Sequence, residues 1–187
     1  GLRGRVKFPL NCTSINSFHK PMAEEKEVLV NEQDEVMGLM NKMEAHEKAV
    51  LHRAFSVFIF NNKGETLLQQ RATSKYHSPL LWTNACCSHP REGETYKEAA
   101  LRRMPEEIGL TTEIEEAFWF VYKADVGQGL TEHELDHVFI GHSNDEPELN
   151  PEEACNYKWM KAEDVKKDIT NNPGLYTEWF KIIFNKY

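Results

Sequence analysis

A guanidinium and a carboxylate share one face of a helix that the sequence predicts between Thr95 and Gly109. Thr95 with Glu98 three residues later is the capping-box pattern of a helix start, and glycine is a common C-terminal stop. Arg103 and Glu107 are four residues apart and therefore lie on the same face. A guanidinium binds anions and a carboxylate binds cations, so this face suits a phosphate group held with a metal ion. Taken alone, the segment fits a surface helix with Glu–Arg pairs equally well.

Two further carboxylates, Glu132 and Glu134, are two residues apart on a predicted strand. Both project from one face, about 7 Å apart along the backbone, so they can converge on one ion. The same stretch, His133–His137, matches the H-E-x-x-H motif of zinc peptidases. That motif works on a helix, where its two histidines share a face. The following Val138–Ile140 favours a strand, on which the histidines would lie about 13 Å apart, so the match is interpreted as accidental.

The bulk properties indicate a globular protein with a small ligand. At 187 residues with 40% hydrophobic content, the chain can bury a substantial core. A formal net charge of -8 argues against nucleic acid as a partner, because phosphate backbones are bound by clustered Lys and Arg. The longest apolar stretch, Phe55–Phe60, is far short of the roughly 20 residues that span a bilayer, so no membrane association is expected. No pattern in the sequence predicts the oligomeric state.

The cysteines indicate a reducing compartment. They show no CxxC spacing, and an adjacent pair suits a bridge poorly. We therefore expect reduced thiols and a cytoplasmic protein. The four cysteines are Cys12, Cys86, Cys87 and Cys155.

Residues 1–21 differ in composition from the rest of the chain. They contain no Asp or Glu, and they show neither helical nor strand periodicity. We interpret them as an expression extension or disordered tail ahead of Met22, with a transit peptide as the alternative. No repeat or linker divides the remainder, so one domain is expected over residues 22–187.

Strand and helix patterns alternate along this domain. The predicted strands, rich in β-branched and aromatic residues, are Val28–Val30, a hairpin of Ala54–Phe60 and Thr66–Gln70, Phe118–Tyr122, Glu132–Ile140 and Tyr157–Met160. Two amphipathic helices, Ala162–Thr170 and Tyr176–Phe184, are predicted near the C-terminus. The fold class is therefore α/β (α+β), with a mixed β-sheet sandwiched between helices.

Several motifs together carry a resemblance to a known family. The helix segment holds Glu94, Arg102, Glu106, Glu107, Gly109 and Leu110 at the offsets of the Nudix signature. Ser88 replaces the first Gly of that signature, and Arg103 replaces one of its Glu residues. Further motifs follow one another at Lys42, Glu44–His46, Leu51–Ser56, Gln70–Arg71, Ser74–Lys75, Trp82–Pro90, Tyr122–Ala124, Glu132–Glu134 and Trp179–Phe180. In this order they resemble type 1 isopentenyl diphosphate isomerases, a Nudix branch with a degraded signature, from about Glu27 to Tyr187.

The resemblance implies a Nudix fold and two divalent ions. One metal site would be built from His46, His52, His89, Glu132 and Glu134. Imidazole and carboxylate ligands suit Zn²⁺ or Mn²⁺, and five of them suggest near-octahedral coordination. The spacing between His46 and His52 varies within the family, which makes His46 the weaker assignment. A Mg²⁺ ion would bridge Glu107 to the diphosphate of a small substrate.

The resemblance also implies an isomerisation of isopentenyl diphosphate to dimethylallyl diphosphate. Cys87 and Glu134 would supply an acid and a base on opposite faces of the substrate, with Tyr122 hydrogen-bonded near the carboxylate. Trp179 would stabilise the carbocation through its ring. The diphosphate would be bound by Lys42, Arg71, Lys75 and Arg103. Cys87 is preferred to Cys86, because His89 follows it by two residues as the motif requires.

Four other functions compete with this interpretation. A Nudix diphosphohydrolase acting on a nucleoside diphosphate derivative would use Glu106 and Glu107 with Mg²⁺ to activate water, but Arg103 occupies the position of a Glu that helps to hold that metal. A zinc peptidase would depend on His133 and His137. As a third alternative, the His and Cys residues would form a structural metal site in a binding module. As a fourth, Cys87 would be the nucleophile of a hydrolase, although no residue is found to orient the histidine that would activate it.

Overall fold

Nine strands and four α-helices make up residues 25–186, the part of the chain that the computed structural model describes. In order they are β1 (Lys26–Val30), β2 (Val36–Asn41), α1 (Lys42–Glu47), β3 (His52–Phe60), β4 (Glu65–Arg71), β5 (Trp82–Thr83), β6 (Cys86–Ser88), α2 (Tyr96–Ile108), β7 (Ile114–Gly127), β8 (Leu130–His142), β9 (Ala154–Lys161), α3 (Ala162–Asn171) and α4 (Glu178–Lys186). A 3-10 turn, Pro173–Leu175, precedes α4. The predicted extension, residues 1–21, lies outside the described residues.

Strand β3 is the centre of a mixed sheet. Along its whole length it pairs in parallel with β8, which places His52 opposite Glu134. Its other edge is shared by β1, β6 and β4, each antiparallel to it. Strand β7 forms an antiparallel hairpin with β8, and β9 pairs with β4. The parallel pairing therefore brings together residues that lie far apart in the sequence.

Alternation of side chains along β3 divides the core between two faces of the sheet. Phe55, Val57 and Ile59 pack on one face with the buried side of α2. Phe58 points to the other face, where it packs with α3 and α4 through residues such as Phe180. The predicted fold, a mixed sheet between helices, is confirmed.

The predicted cap and stop of α2 are confirmed, whereas the observed strands extend beyond the predicted ones, as in β7, which covers Ile114–Gly127. The backbone amide of Glu98 donates to Thr95 Oγ1 at 3.1 Å, and Gly109 ends α2 in the left-handed conformation. The helix predicted from Tyr176 begins later, at Glu178, because Tyr176 forms a strand-like bridge with Trp82. Strands β2, β5 and β6 and helix α1 were not predicted, since each is short and lacks a clear period.

Within residues 25–186, every helix is too short or too polar to cross a lipid bilayer.

The end of α2 supplies a stability test. A Cβ atom at Gly109 would lie 2.4 Å from the carbonyl oxygen of Glu148, on a backbone with φ of 60°. We expect Gly109→Ala to lower the free energy of unfolding by about 3 kcal/mol in urea denaturation, from backbone strain and this clash together. Gly64→Ala is the matched control, because Gly64 has φ of 72° and no atom near its Cβ position. It should cost only about 1 kcal/mol, from strain alone. Equal losses would contradict a role for the Glu148 contact.

Candidate active site

Three histidines and one carboxylate meet at one end of the β3–β8 pair. One nitrogen or oxygen from each of His46, His52, His89 and Glu134 lies within 4.8 Å of all the others. His52 and Glu134 arrive there through the strand register, whereas helix α1 supplies His46 and the segment after β6 supplies His89. These four residues belong to the five that the sequence predicted as ligands of one metal ion.

Backbone carbonyl groups orient two of the rings toward the centre of this cluster. The Nδ1 atom of His46 lies 2.7 Å from the carbonyl oxygen of Lys42, and that of His52 lies 2.8 Å from the carbonyl oxygen of Val50. Because each Nδ1 donates to a carbonyl group, Nε2 is the nitrogen that would bind a metal ion in the neutral ring. The Nε2 atom of His52 is buried without a hydrogen-bond partner. An unpartnered imidazole nitrogen facing a carboxylate is the arrangement that a divalent ion would complete.

Two buried carboxylates share the proton of a single phenol. The hydroxyl oxygen of Tyr122 lies 2.5 Å from Glu132 Oε2 and 2.6 Å from Glu134 Oε2. The phenol has one proton to donate, so it satisfies one carboxylate at a time. Two buried negative charges this close together require compensation by positive charge. The donor set therefore fits a divalent metal ion.

The histidines and carboxylates of this cluster shift one another's pKa values. Burial lowers the pKa of His52, but Glu134, helped by Glu27, outweighs this effect and raises it to about 9. Burial and the charge of Glu132 raise the pKa of Glu134, but His52 and His89 outweigh them and lower it to about 2. Glu27, a buried residue that the sequence analysis missed, lies 3.3 Å from His89 Nδ1 through its Oε1 atom.

Glu132 lies apart from the other four predicted ligands. Its ligand oxygen groups instead with His46 and His77, whose ring nitrogens also lie within 4.8 Å. His77 was not predicted. It lies in a loop, where no sequence pattern identifies it. Burial lowers the pKa of His77 in spite of the opposing charge of Glu132, so its imidazole is neutral.

The two adjacent cysteines face opposite sides of the sheet. Cys86 is fully buried in the cluster beneath α2, whereas Cys87 is partly exposed and packs in the cluster that contains Tyr122 and Trp179. Strand alternation on β6 explains the difference, since Cys87 pairs with Ser56 on β3. Desolvation, aided by the charge of Glu107, raises the pKa of Cys87 well above its ordinary value. Cys87 is therefore a protonated thiol, and no disulfide joins it to Cys86.

Two of the predicted diphosphate-binding residues converge on a carboxylate that was not predicted. Glu153, in the segment before β9, binds the ammonium group of Lys75 and lies 3.1 Å from Arg103 through Oε1. The same guanidinium nitrogen lies 3.0 Å from Oε1 of the buried Glu107. Burial raises the pKa of Glu153, but Lys75 and Arg103 outweigh it and lower the pKa to about 2.

The other two predicted diphosphate-binding residues make different contacts. Arg71 donates hydrogen bonds of 3.1 Å to the carbonyl oxygens of residues 77 and 78. Its guanidinium also lies 5.3 Å from the ring centre of Trp179. Lys42 forms an ion pair of 3.2 Å with Glu25. The structure thus joins Lys75 to Arg103 through a shared partner, but it places Arg71 and Lys42 in separate contacts.

The histidines of the H-E-x-x-H match lie apart from this cluster. They occupy strand β8 rather than a helix, and alternation turns them to the face opposite Glu134. His133 Nδ1 lies 3.1 Å from the carbonyl oxygen of Ala49, and His137 binds Glu116. The zinc-peptidase alternative is therefore wrong in its structural requirement.

Comparison with known proteins places this arrangement in a family. The chain matches the NUDIX domain family over residues 50–180. It is 48% identical over 158 residues to isopentenyl-diphosphate Delta-isomerase 2 of Photorhabdus laumondii, covering 84% of this chain and 89% of that protein. It is 46% identical over 156 residues to isopentenyl-diphosphate Delta-isomerase 2 of Aromatoleum aromaticum, covering 83% of this chain and 82% of that protein.

A crystal structure from Deinococcus radiodurans shares the fold, with a TM-score of 0.73 at 21% sequence identity, covering 87% of this chain and 98% of that one. Since the sequence identity to the two isomerases extends over most of both chains, the chain belongs to the NUDIX domain family and, within it, to the isopentenyl-diphosphate Delta-isomerases.

Proposed function

We propose that the chain converts isopentenyl diphosphate into dimethylallyl diphosphate, in isoprenoid biosynthesis, by adding one proton to the carbon skeleton and removing another. The names of its relatives support the reaction. The observation that carries the mechanism is the position of a protonated thiol, Cys87, in the same apolar cluster as Tyr122 and Trp179. A proton donor beside an apolar, aromatic wall suits a reaction on an alkene.

Two proton transfers would move the double bond. The Cys87 thiol gives its proton to the terminal =CH₂ carbon, which becomes a methyl group and leaves a tertiary cation. The Glu134 carboxylate then takes a proton from the neighbouring CH₂ group, and the new double bond forms there. The neighbouring histidines lower the pKa of Glu134, but a carbon next to a cation is acidic enough to give its proton to a weakly basic carboxylate. The difficult step is therefore donation by Cys87.

The aromatic wall and the apolar surroundings would protect the cation from water. Trp179 is buried, with its ring in the same cluster as Cys87. An aromatic ring facing a cation contributes about 0.5 to 2 kcal/mol. The Tyr122 hydroxyl oxygen lies within 2.6 Å of both Glu132 and Glu134 and donates to one of them at a time, which would restrain the position of the base.

A divalent ion is proposed at the histidine cluster. His46, His52, His89 and Glu134 would hold it together with Glu132, whose Oε1 atom lies 3.7 Å from His46 Nε2, and these ligand types suit Zn²⁺ or Mn²⁺. When bound, the ion would compensate the buried negative charge and tune the proton affinity of Glu134.

The diphosphate is proposed to bind at Lys75 and Arg103, with Arg71 and Lys42 at its edges. Two cations, Lys75 and Arg103, face three carboxylates, Glu106, Glu107 and Glu153. A diphosphate would add further negative charge, so it needs an accompanying cation. Mg²⁺ bound to the diphosphate and Glu107 would meet this need. The free thiols of Cys86 and Cys87 support a cytoplasmic location.

The contacts of Arg103 give less support to the alternative function, a Nudix diphosphohydrolase. Arg103 binds both Glu106 and Glu107, at 2.6 and 3.0 Å. A hydrolase would need these carboxylates to hold a magnesium ion that activates water. With a guanidinium between them, they favour binding of an anion over that role.

The cysteine pair tests the proposed acid. We expect Cys87→Ala to lower kcat by about a thousandfold, because it removes the proton donor. Cys86→Ala is the matched control: its side chain faces α2, so kcat should stay within about tenfold while stability falls by about 1 kcal/mol. Formation of dimethylallyl diphosphate by both variants is followed by NMR, with circular dichroism to verify folding. An active Cys87→Ala beside an inactive, folded Cys86→Ala would contradict the assignment.

The acid stability of the protein tests the contact between Glu153 and its two cations. The folded protein holds the pKa of Glu153 at about 2, below its usual value of 4.5, so its stabilising effect is present near neutral pH and is lost as the pH falls. We expect Glu153→Gln to reduce the free energy of unfolding by roughly 2 kcal/mol at pH 7, and by progressively less below pH 5.

The control for this measurement is Glu152→Gln, since the neighbouring side chain is exposed. Its free energy of unfolding should stay within about 0.5 kcal/mol of the wild type at every pH. A loss in Glu153→Gln that does not shrink between pH 5 and pH 3 would show that the ion pairs are not its cause.

A further inference from the structure

His77 connects two parts of the site. Its side chain is 2% exposed, and its Nε2 atom lies 2.7 Å from Glu132 Oε1. Its Nδ1 atom lies 3.1 Å from Ser78 Oγ. The ring also meets Trp179 edge-on, with the ring centres 6.0 Å apart and the planes at 90°.

The hydrogen-bond directions around His77 follow from its partners. An ionised carboxylate only accepts, so Nε2 carries the proton and donates it to Glu132. The Ser78 hydroxyl can then donate to Nδ1. A protonated Nε2 is not free to bind a metal. The distance of 2.7 Å between Nε2 and Glu132 Oε1 also suits a hydrogen bond. Two ligand atoms of one metal ion would lie about 3 Å apart, if each metal–ligand bond is about 2.1 Å long and the two bonds meet at a right angle.

The loop that presents His77 is held in an unusual conformation. Ser78, a non-glycine residue, has φ of 49° in the left-handed region. Such backbone persists where the surroundings hold it, and it is frequent at functional sites. Here Arg71 supplies the restraint, because its guanidinium donates to the carbonyl oxygens of both His77 and Ser78.

We propose that His77 is a positioning residue, which fixes Glu132 by donating from Nε2 and so prepares this carboxylate for the divalent ion. The other oxygen of Glu132 lies 2.5 Å from the Tyr122 hydroxyl oxygen, so the carboxylate has a polar contact on each side. Partners of this kind, which touch a ligand rather than the ion, typically change metal affinity by about 10- to 100-fold. The inference rests on the metal site of the proposed function.

Binding of Co²⁺ to the purified full chain, measured by competition with a chelator, tests this role. His77→Phe keeps a ring against Trp179 but removes the donor, and it should raise the Kd for Co²⁺ about 10- to 100-fold. His77→Gln keeps an N–H donor and should recover most of the affinity. His137→Phe is the matched control, because it removes another histidine–carboxylate contact on the opposite face of β8, and its Kd should be unchanged. Should His77→Phe fail to fold, His77→Met carries the same test.

The visible spectrum of bound Co²⁺ separates positioning from ligation. At saturation, His77→Phe should keep the band positions of the wild type, because the ligands stay the same. Shifted bands would make His77 a ligand and overturn the proposal, as would an unchanged Kd in a folded His77→Phe. Failure of the wild type itself to bind Co²⁺ would overturn the metal site of the proposed function together with this inference.

Discussion

Two buried carboxylates that share one phenol proton impose a requirement that the surrounding structure meets. Glu132 and Glu134 both lie against Tyr122, and burial in a sheet makes their charges costly. Histidines compensate part of this charge and point their nitrogens at the same space. The register of β3 and β8 sets the geometry, because it fixes His52 opposite Glu134. A slip of one residue would turn these side chains to the other face.

The same alternation separates the tasks of the two faces. On one face, Cys86 and the apolar residues of α2 form a core without exposed chemistry. On the other, Cys87, Tyr122 and Trp179 share an apolar cluster close to the carboxylates. A carbocation would survive only where water is excluded, so the packing of α4 against this face would serve the proposed chemistry as well as the stability. The diphosphate group, in contrast, is expected at the charged end of α2, where Arg103 and Glu107 meet Glu153.

Much of the fold and part of the site follow from local sequence signals. The cap at Thr95, the stop at Gly109 and the strand period around Glu132 and Glu134 are properties of neighbouring residues, so they could be predicted. The identity of most cluster members came from ordered motifs rather than from spacing. The structure brings His46, His52, His89 and Glu134 together, but it places Glu132 beside His77 instead.

The residues that escaped prediction share a physical feature. Glu27 lies on the short strand β1, and His77 and Glu153 lie in loops; all three act through contacts with distant residues. His77 meets Glu132 across 55 positions of sequence, and Glu153 meets Lys75 across 78. Such contacts depend on strand order and loop paths, which leave no period in the sequence. The shift of α4 from Tyr176 to Glu178 has a similar origin, since a bridge to Trp82 overrides local helix preference.

The most direct test of the account is a proton NMR time course of the metal-loaded protein with isopentenyl diphosphate and Mg²⁺ in deuterated water. Proton transfer through a carbocation predicts that the two allylic methyl signals of dimethylallyl diphosphate grow in, with deuterium entering the product from the exchanged thiol of Cys87. An unchanged substrate spectrum from folded, metal-loaded protein would contradict the account.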